Sequence, residues 1–149
     1  MPVVIILIAV LFNSINACLI GYHFVFQGDK YELGWLVSPA FIGGVILYTT
    51  GYVVTKRSDA ILRGLRGPGE HGYRTPHGFL YQYVSCPNYL GEIIQWGGWA
   101  LLTWSDAGLV FLIWTMANLV PRAIAHHKWY RTTFPDYPAQ RKALVPFLI

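Results

Sequence analysis

Charged residues are scarce in this sequence. Of its 149 residues only 12% are Asp, Glu, Lys or Arg, whereas 54% are hydrophobic and 16% aromatic. An average soluble domain is about 25% charged. A soluble core of this size would not need so little charge, so the deficit indicates that lipid is the solvent. No repeat, low-complexity run or second soluble domain is evident, and we expect a single membrane domain over residues 1–149.

Cysteine and metal-ligand patterns are also sparse. The two cysteines are Cys18, inside an apolar run, and Cys86, in a more polar segment, so we expect no disulfide between them. The adjacent His126 and His127 diverge by about 100° on a helix, a poor geometry for a shared metal. The other histidines form no ligand spacing, and the sequence predicts no metal site.

Four apolar runs predict an all-α, multi-pass transmembrane bundle. They cover about residues 3–26, 33–54, 89–104 and 107–120. The first two are long enough to cross a ~30 Å hydrocarbon layer. The last two are short, and we interpret them as a hairpin that turns at Ser105-Asp106. The first run lacks a basic flank and a small-residue cleavage site, so we expect it to be retained rather than removed as a signal peptide.

The basic residues indicate the orientation of this bundle. Of eleven Lys and Arg residues, ten fall in the 55–88 segment or after residue 120. Four crossings would place both regions on the same side, and the positive-inside rule makes that side cytosolic. The net charge of +4 is therefore read as a topology signal and not as a nucleic-acid-binding surface.

The 55–88 segment combines a predicted short helix with a glycine-rich loop. Ser58 can cap a helix from about Asp59 to Arg66, with Asp59, Arg63 and Arg66 on one face. A solvated Asp59–Arg63 pair would explain the same spacing. Five glycines then lie between positions 64 and 78. They suit close approach of a phosphate, but no strand precedes them and an ordinary loop is equally consistent.

Two further polar stripes lie on the predicted helices. Asn88, Glu92, Gln95 and Trp99 fall within about 60° on one face of an otherwise apolar helix. Arg122, His126 and Tyr130 follow one another at i, i+4 and i+8. Helix–helix hydrogen bonding and interfacial anchoring, respectively, are the structural alternatives. Because an isolated carboxylate in a membrane is costly, we expect Glu92 to face a partner or a ligand. The three clusters together predict a site for a large, polar, anionic ligand.

At these residues the sequence resembles the steroid 5α-reductase family. The matching segments are SDAILRGLRGPGEHGYRTPHGFLYQYVSCPNYLGEIIQWGGWALLTWS (58–105) and PRAIAHHKWYRTTFPDYPAQRKALVPFLI (121–149). The first is also similar to plant-type brassinosteroid reductases and, more distantly, to very-long-chain enoyl-CoA reductases. The resemblance implies a seven-span protein of the endoplasmic reticulum that binds NADPH through its C-terminal half. Carried over by position, the implied cofactor contacts are Asp59, Arg66, Tyr73, Asn88, Glu92, Arg122, His126 and Tyr130.

The resemblance also implies a reaction, and the sequence departs from the family pattern in two respects. The family reduces the C4–C5 double bond of 3-oxo-Δ4-steroids by hydride transfer to the β-carbon. Thr55 stands where the family commonly has Asn, and we expect this chain to lack the N-terminal two-fifths, which carries the family's substrate-binding Glu and Tyr. We therefore expect a cofactor-binding part with no assignable catalytic residue. The alternatives are a silent nucleotide-binding or interaction protein, an enoyl-CoA reductase, and a membrane methyltransferase.

Overall fold

Four long helices make up the structure, a computed structural model that describes residues 3–26, 31–65, 67, 69 and 72–149. They are α1 (Val3–Phe26), α2 (Pro39–Gly64), α3 (Pro87–Thr103) and α4 (Asp106–Thr133). Short 3₁₀ helices cover Leu33–Val37 and Phe79–Gln82. The described residues contain no β-strand, which confirms the all-α prediction. Two helices, α1 and α4, are long and apolar enough to cross a membrane. The count of four spans stays a prediction.

Helix α2 differs from its prediction at both ends. It begins at Pro39, where the Ser38 hydroxyl accepts a hydrogen bond from the Phe41 amide at 3.1 Å, and the predicted residues 33–37 form the 3₁₀ helix instead. It then continues unbroken to Gly64, so the separate helix capped by Ser58 was wrong. Ser58 lies inside α2 and is fully buried. The amides that a cap would satisfy are already bonded within the helix, so Ser58 has no helix end to cap.

Four glycines allow α2 and α3 to pack with their backbones almost in contact. A Cβ on Gly51 would lie 2.3 Å from the Gln95 nitrogen, and one on Gly98 would lie 2.3 Å from the Tyr48 nitrogen. Gly44 and Gly91 are equally crowded by the opposite helix. Close approach through small residues is a common way for membrane helices to associate. This contact fixes the polar side chains of α2 and α3 relative to each other.

Helices α3 and α4 form the predicted hairpin. Trp104 ends α3 in the left-handed conformation, at φ 46° and ψ 46°. Ser105 begins α4 by accepting a hydrogen bond from the Gly108 amide at 3.0 Å, which confirms the turn at 105–106. Helix α4 runs past Pro121 to Thr133, well beyond the predicted apolar limit at 120. The stripe of Arg122, His126 and Tyr130 is therefore on continuous helix, as predicted.

The C-terminal residues fold back onto the segment before α3. Val84 and Lys142 form an isolated parallel bridge, and the Ser85 and Cys86 amides donate to the carbonyls of Lys142 and Ala143 at 2.8 and 3.1 Å. Below this pairing lies a small apolar core of Cys86, Ala123 and Leu144. The start of α3, the middle of α4 and the tail are thereby held together at one end of the molecule.

Candidate functional site

Members of the three predicted polar clusters interact electrostatically with a residue that the sequence did not single out, Tyr89 on α3. Its phenol lies within electrostatic reach of Arg122 on α4, Glu92 on α3 and Asp59 on α2. Its hydroxyl is 3.4 Å from Nε2 of His126, with the two ring centroids 6.0 Å apart. Three helices thus contribute to one cluster. We call Asp59, Glu92, Arg122 and His126, with Tyr89, the polar cluster.

The sequence contained a signal for Tyr89. It follows Asn88 directly and stands three residues before Glu92, so a helix brings it near the same face. It was overlooked because a tyrosine in an apolar helix is ordinarily packing or an interfacial anchor.

The predicted stripe on α3 lies beside the contact with α2. Asn88 and Glu92 are both half-buried. The Asn88 carbonyl accepts a hydrogen bond from the Thr55 hydroxyl at 3.3 Å. Thr55 therefore joins α2 to the start of α3. The Asn88 side chain is separate from this bond, because only its backbone oxygen takes part.

Tyr130 reaches the cluster from the last turn of α4. It lies within electrostatic reach of Cys86 and Tyr89. Its ring stacks on Tyr137 with centroids 5.3 Å apart and planes 11° from parallel. The position of Tyr130 therefore depends on the tail that carries Tyr137.

Ser85 is a hydrogen-bonding hub that fixes this arrangement. Its hydroxyl lies 2.6 Å from His127 Nδ1, 2.6 Å from the Tyr137 hydroxyl and 3.1 Å from the Lys142 carbonyl oxygen. A serine has one proton to donate and two lone pairs with which to accept. Because the carbonyl can only accept, the three bonds are satisfied together when Ser85 donates to Lys142 and accepts from His127 and Tyr137.

Arg141 holds the tail onto the glycine-rich loop. It is only 3% exposed, and its Nη1 donates to the Pro76 carbonyl at 3.0 Å. Its Nη2 lies 3.3 Å from His77 Nδ1, and the guanidinium stands 5.1 Å from the centre of the Tyr137 ring. A buried cation of this kind is tolerable because carbonyl oxygen and aromatic faces replace its water. Its role was not foreseen from the sequence.

One predicted site residue, Tyr73, packs on α4 rather than within the polar cluster. Tyr73 is 69% exposed, and its ring packs against Trp129 of α4 at 5.0 Å. Arg66 lies outside the described residues. Tyr89 thus interacts with Asp59, Glu92 and Arg122 and lies against His126. Tyr130 interacts electrostatically with Tyr89, and Asn88 precedes Tyr89 on α3.

Burial keeps two neighbouring groups neutral. Burial raises the pKa of the Cys86 thiol to about 12, and it also raises the pKa of the Tyr81 phenol. The Tyr81 hydroxyl donates to the Ser58 carbonyl at 3.3 Å. The charges of the site are then those of Asp59, Glu92 and Arg122. A guanidinium with carboxylates, an imidazole and phenols can bind a ligand that carries both phosphates and hydrogen-bonding heterocycles.

Comparison with known proteins identifies the family of this chain. The model of the family described as 3-oxo-5-alpha-steroid 4-dehydrogenase matches residues 1–149. This chain is a member of the 3-oxo-5-alpha-steroid 4-dehydrogenase family. The resemblance inferred from the residues is confirmed.

Individual relatives in the family come from animals and plants. The chain is 43% identical over 145 residues to 3-oxo-5-alpha-steroid 4-dehydrogenase 1 of Rattus norvegicus, covering 95% of this chain and 54% of that protein. It is 44% identical over 152 residues to Steroid 5-alpha-reductase DET2 of Solanum lycopersicum, covering 99% and 57%. It is 44% identical over 147 residues to 3-oxo-5-alpha-steroid 4-dehydrogenase 2 of Homo sapiens, covering 99% and 58%. The chain therefore spans just over half the length of these family members.

Proposed function

We propose that this chain is the NADPH-binding part of a membrane enzyme that reduces the C4–C5 double bond of a 3-oxo-Δ4-steroid. The observation that supports it is that Asp59, Glu92 and Arg122, which come from three helices, all interact electrostatically with Tyr89. Family membership supports the reaction class, and the relatives' names supply the steroid. Side chains do not donate hydride, so a reduction at this site calls for a cofactor.

The residues present fit such a cofactor. The Arg122 guanidinium is exposed on α4 and suits a phosphate, because its planar fork matches phosphate oxygens. The half-buried Asn88 and Glu92 would hydrogen-bond the uncharged polar edges of the ligand. We assign His126, Tyr130 and Asp59 to the same site, together with Tyr73 and Arg66. Bound NADPH would supply hydride to the β-carbon of the enone.

The chain's own part is to bind and orient the cofactor. A rigid α2–α3 contact and the tail hub hold the contributing helices in register, which is the positioning that a hydride transfer requires. We assign the acid that polarises the steroid ketone to the part of the relatives that this chain does not span. We also propose an endoplasmic reticulum membrane location, with the 55–88 segment and the C-terminus cytosolic, in contact with membrane lipid and a sterol-like enone.

The test is NADPH binding to the detergent-purified chain, measured by nicotinamide fluorescence, with NADH and S-adenosylmethionine as control ligands. We expect weak but selective NADPH binding. Replacing a guanidinium that holds a phosphate should weaken it about 10- to 100-fold, so Arg122→Ala is the site variant. Lys56→Ala is the matched control, because Lys56 is an exposed cation on α2 that lies over the Tyr52 ring.

Equal losses of NADPH affinity in Arg122→Ala and Lys56→Ala would contradict the proposed site. Binding of S-adenosylmethionine in place of NADPH would favour a methyltransferase. We expect no steroid turnover by the chain alone, and measurable turnover would show that it carries its own substrate site.

The partial coverage of the relatives favours one second candidate, a nucleotide-binding protein without catalysis. Coexpression with the N-terminal part of the Homo sapiens relative distinguishes the two. Restored steroid reduction would support the reductase, whereas binding of NADPH without turnover would support the silent protein.

A further inference from the structure

The C-terminal half of α4 has a second functional face, opposite the polar cluster. On a helix, Ile124, His127, Lys128, Arg131 and Thr132 are centred about 170° from the stripe of Arg122, His126 and Tyr130. These five residues line a surface concavity of about 350 Å³. We call it the basic cleft. It lies on the side of α4 opposite Arg122 and His126 of the proposed cofactor site, and the Ser85 hub connects the two faces through His127 and Tyr137.

The charged residues that line the basic cleft, Lys128 and Arg131, are both cations. Two cations, Arg131 and Lys142, also act electrostatically on the His127 ring. Lys142 comes from the tail, which its carbonyl ties to Ser85 of the segment before α3. The tail therefore adds positive charge near a concavity that Lys128 and Arg131 already line. Such a cleft favours an anion with several acceptor oxygens, which is the chemistry of phosphate.

Helix capping alone does not account for this arrangement. Cations near the end of a helix complement its dipole, and that would explain Lys128 and Arg131. It does not explain the concavity that these two residues line together with Ile124 and His127. The ring of His127 is held in place through its Nδ1 contact with Ser85 at 2.6 Å. The cleft therefore combines one fixed ring with the exposed side chains of Lys128 and Arg131.

The apolar end of the cleft distinguishes a free phosphate ion from the phosphate of a lipid headgroup. Ile124 lines the concavity about two turns before Arg131 and is 45% exposed. It lies on α4, a helix apolar enough to cross a membrane, and exposed apolar residues such as Ile113 and Met116 continue toward its start. A free phosphate ion would use the cations only, whereas a phospholipid would place its phosphate on the cations and its acyl chain along the apolar helix. We propose that the basic cleft binds the headgroup phosphate of an anionic phospholipid.

Native mass spectrometry of the detergent-purified chain tests this, with phosphatidic acid and phosphatidylcholine offered in equal amounts. We expect preferential retention of one phosphatidic acid. The site variant is Lys128→Gln with Arg131→Gln, which should weaken phosphatidic acid binding roughly 30-fold. The control is Lys56→Gln with Arg57→Gln, which removes the same charge from α2. A third variant, Lys128→Arg with Arg131→Lys, keeps the charge and should keep the binding.

Loss confined to the site variant, with its thermal stability unchanged, supports the proposal. If the control pair loses as much binding, the attraction comes from net charge and the cleft is not a site. Equal retention of phosphatidylcholine would likewise overturn it. Displacement of phosphatidic acid by millimolar inorganic phosphate would assign the cleft to a soluble phosphate and refute the lipid.

Discussion

Two adjacent glycines of α3 have different surroundings, because Gly98 faces the backbone of α2 and Gly97 does not. The same substitution should therefore change stability in opposite directions at the two positions. A Cβ on Gly98 would lie 2.3 Å from the Tyr48 nitrogen, about 1.1 Å short of the 3.4 Å at which ordinary contact begins. A Cβ on Gly97 would meet only a Leu112 methyl at 4.0 Å. Since the atom opposite Gly98 is backbone, relief requires the two helices to move apart by about 1 Å.

The magnitudes follow from two opposing effects. Gly to Ala inside a helix gains about 1 kcal/mol of helix propensity at either position. Overpacking costs about 1–3 kcal/mol, and separating two backbones belongs at the upper end of that range. Gly98→Ala should therefore lose about 2 kcal/mol net, whereas Gly97→Ala should gain up to about 1 kcal/mol.

Thermal unfolding in detergent measures both variants. For a domain of this size about 2 kcal/mol corresponds to a lower midpoint by roughly 4–8 °C, while Gly97→Ala should raise the midpoint by a few degrees. A Gly98→Ala protein as stable as Gly97→Ala would refute the close backbone packing of α2 on α3. NADPH binding, if it depends on the register of these helices, should weaken in Gly98→Ala and persist in Gly97→Ala.

Two further predictions concern buried side chains. Ser85→Ala removes a hydroxyl with three hydrogen-bonding neighbours and should lower the unfolding free energy by about 1–3 kcal/mol. Ser58→Ala removes a buried hydroxyl that has no partner among the described residues, so it should leave stability unchanged or higher. Equal shifts of the thermal midpoint in the two variants would contradict both assignments. For Cys86, burial raises the folded-state pKa to about 12 from an ordinary 9.0, so the neutral thiol's stabilisation is complete below about pH 9 and declines as pH rises toward 12. Between pH 8 and 10 this should cost about 1 kcal/mol of unfolding free energy, and Cys86→Ala, compared by denaturant titration at both values, should show a shallower decline.

The helices were predictable where local chemistry decides them. Pro87 at the first turn of α3 and Ser105 at the cap of α4 are strong start signals, and both helices begin beside them. The C-terminal end of α2 was predicted wrongly, because hydropathy indicates where a chain leaves lipid and not where the backbone hydrogen bonds of a helix stop. Five of the residues after position 54, Lys56, Arg57, Ala60, Leu62 and Arg63, are good helix formers, and the helix continues through Ser58 to Gly64.

The candidate site was only partly predictable for a different reason. The i, i+4 spacing of Arg122 and His126 identified their shared face correctly, since that relation is local. The Ser85 hub joins residues 42 to 57 positions apart, and Arg141 reaches a carbonyl 65 positions away. No periodicity encodes such pairings, so the role of the tail emerges only when the chain is folded.

Helix α2 is one unbroken helix, so a change in its tilt at the contact with α3 also moves Asp59. Its close contact with α3 extends from Gly44 to Thr55. Asp59 lies four residues beyond Thr55, about 6 Å along the helix axis. Tilting α2 by about 10° at Thr55 would displace the start of the Asp59 side chain by about 1 Å, about a third of the length of a hydrogen bond. We therefore expect any change in the tilt of α2 against α3 to change the spacing of charges in the polar cluster.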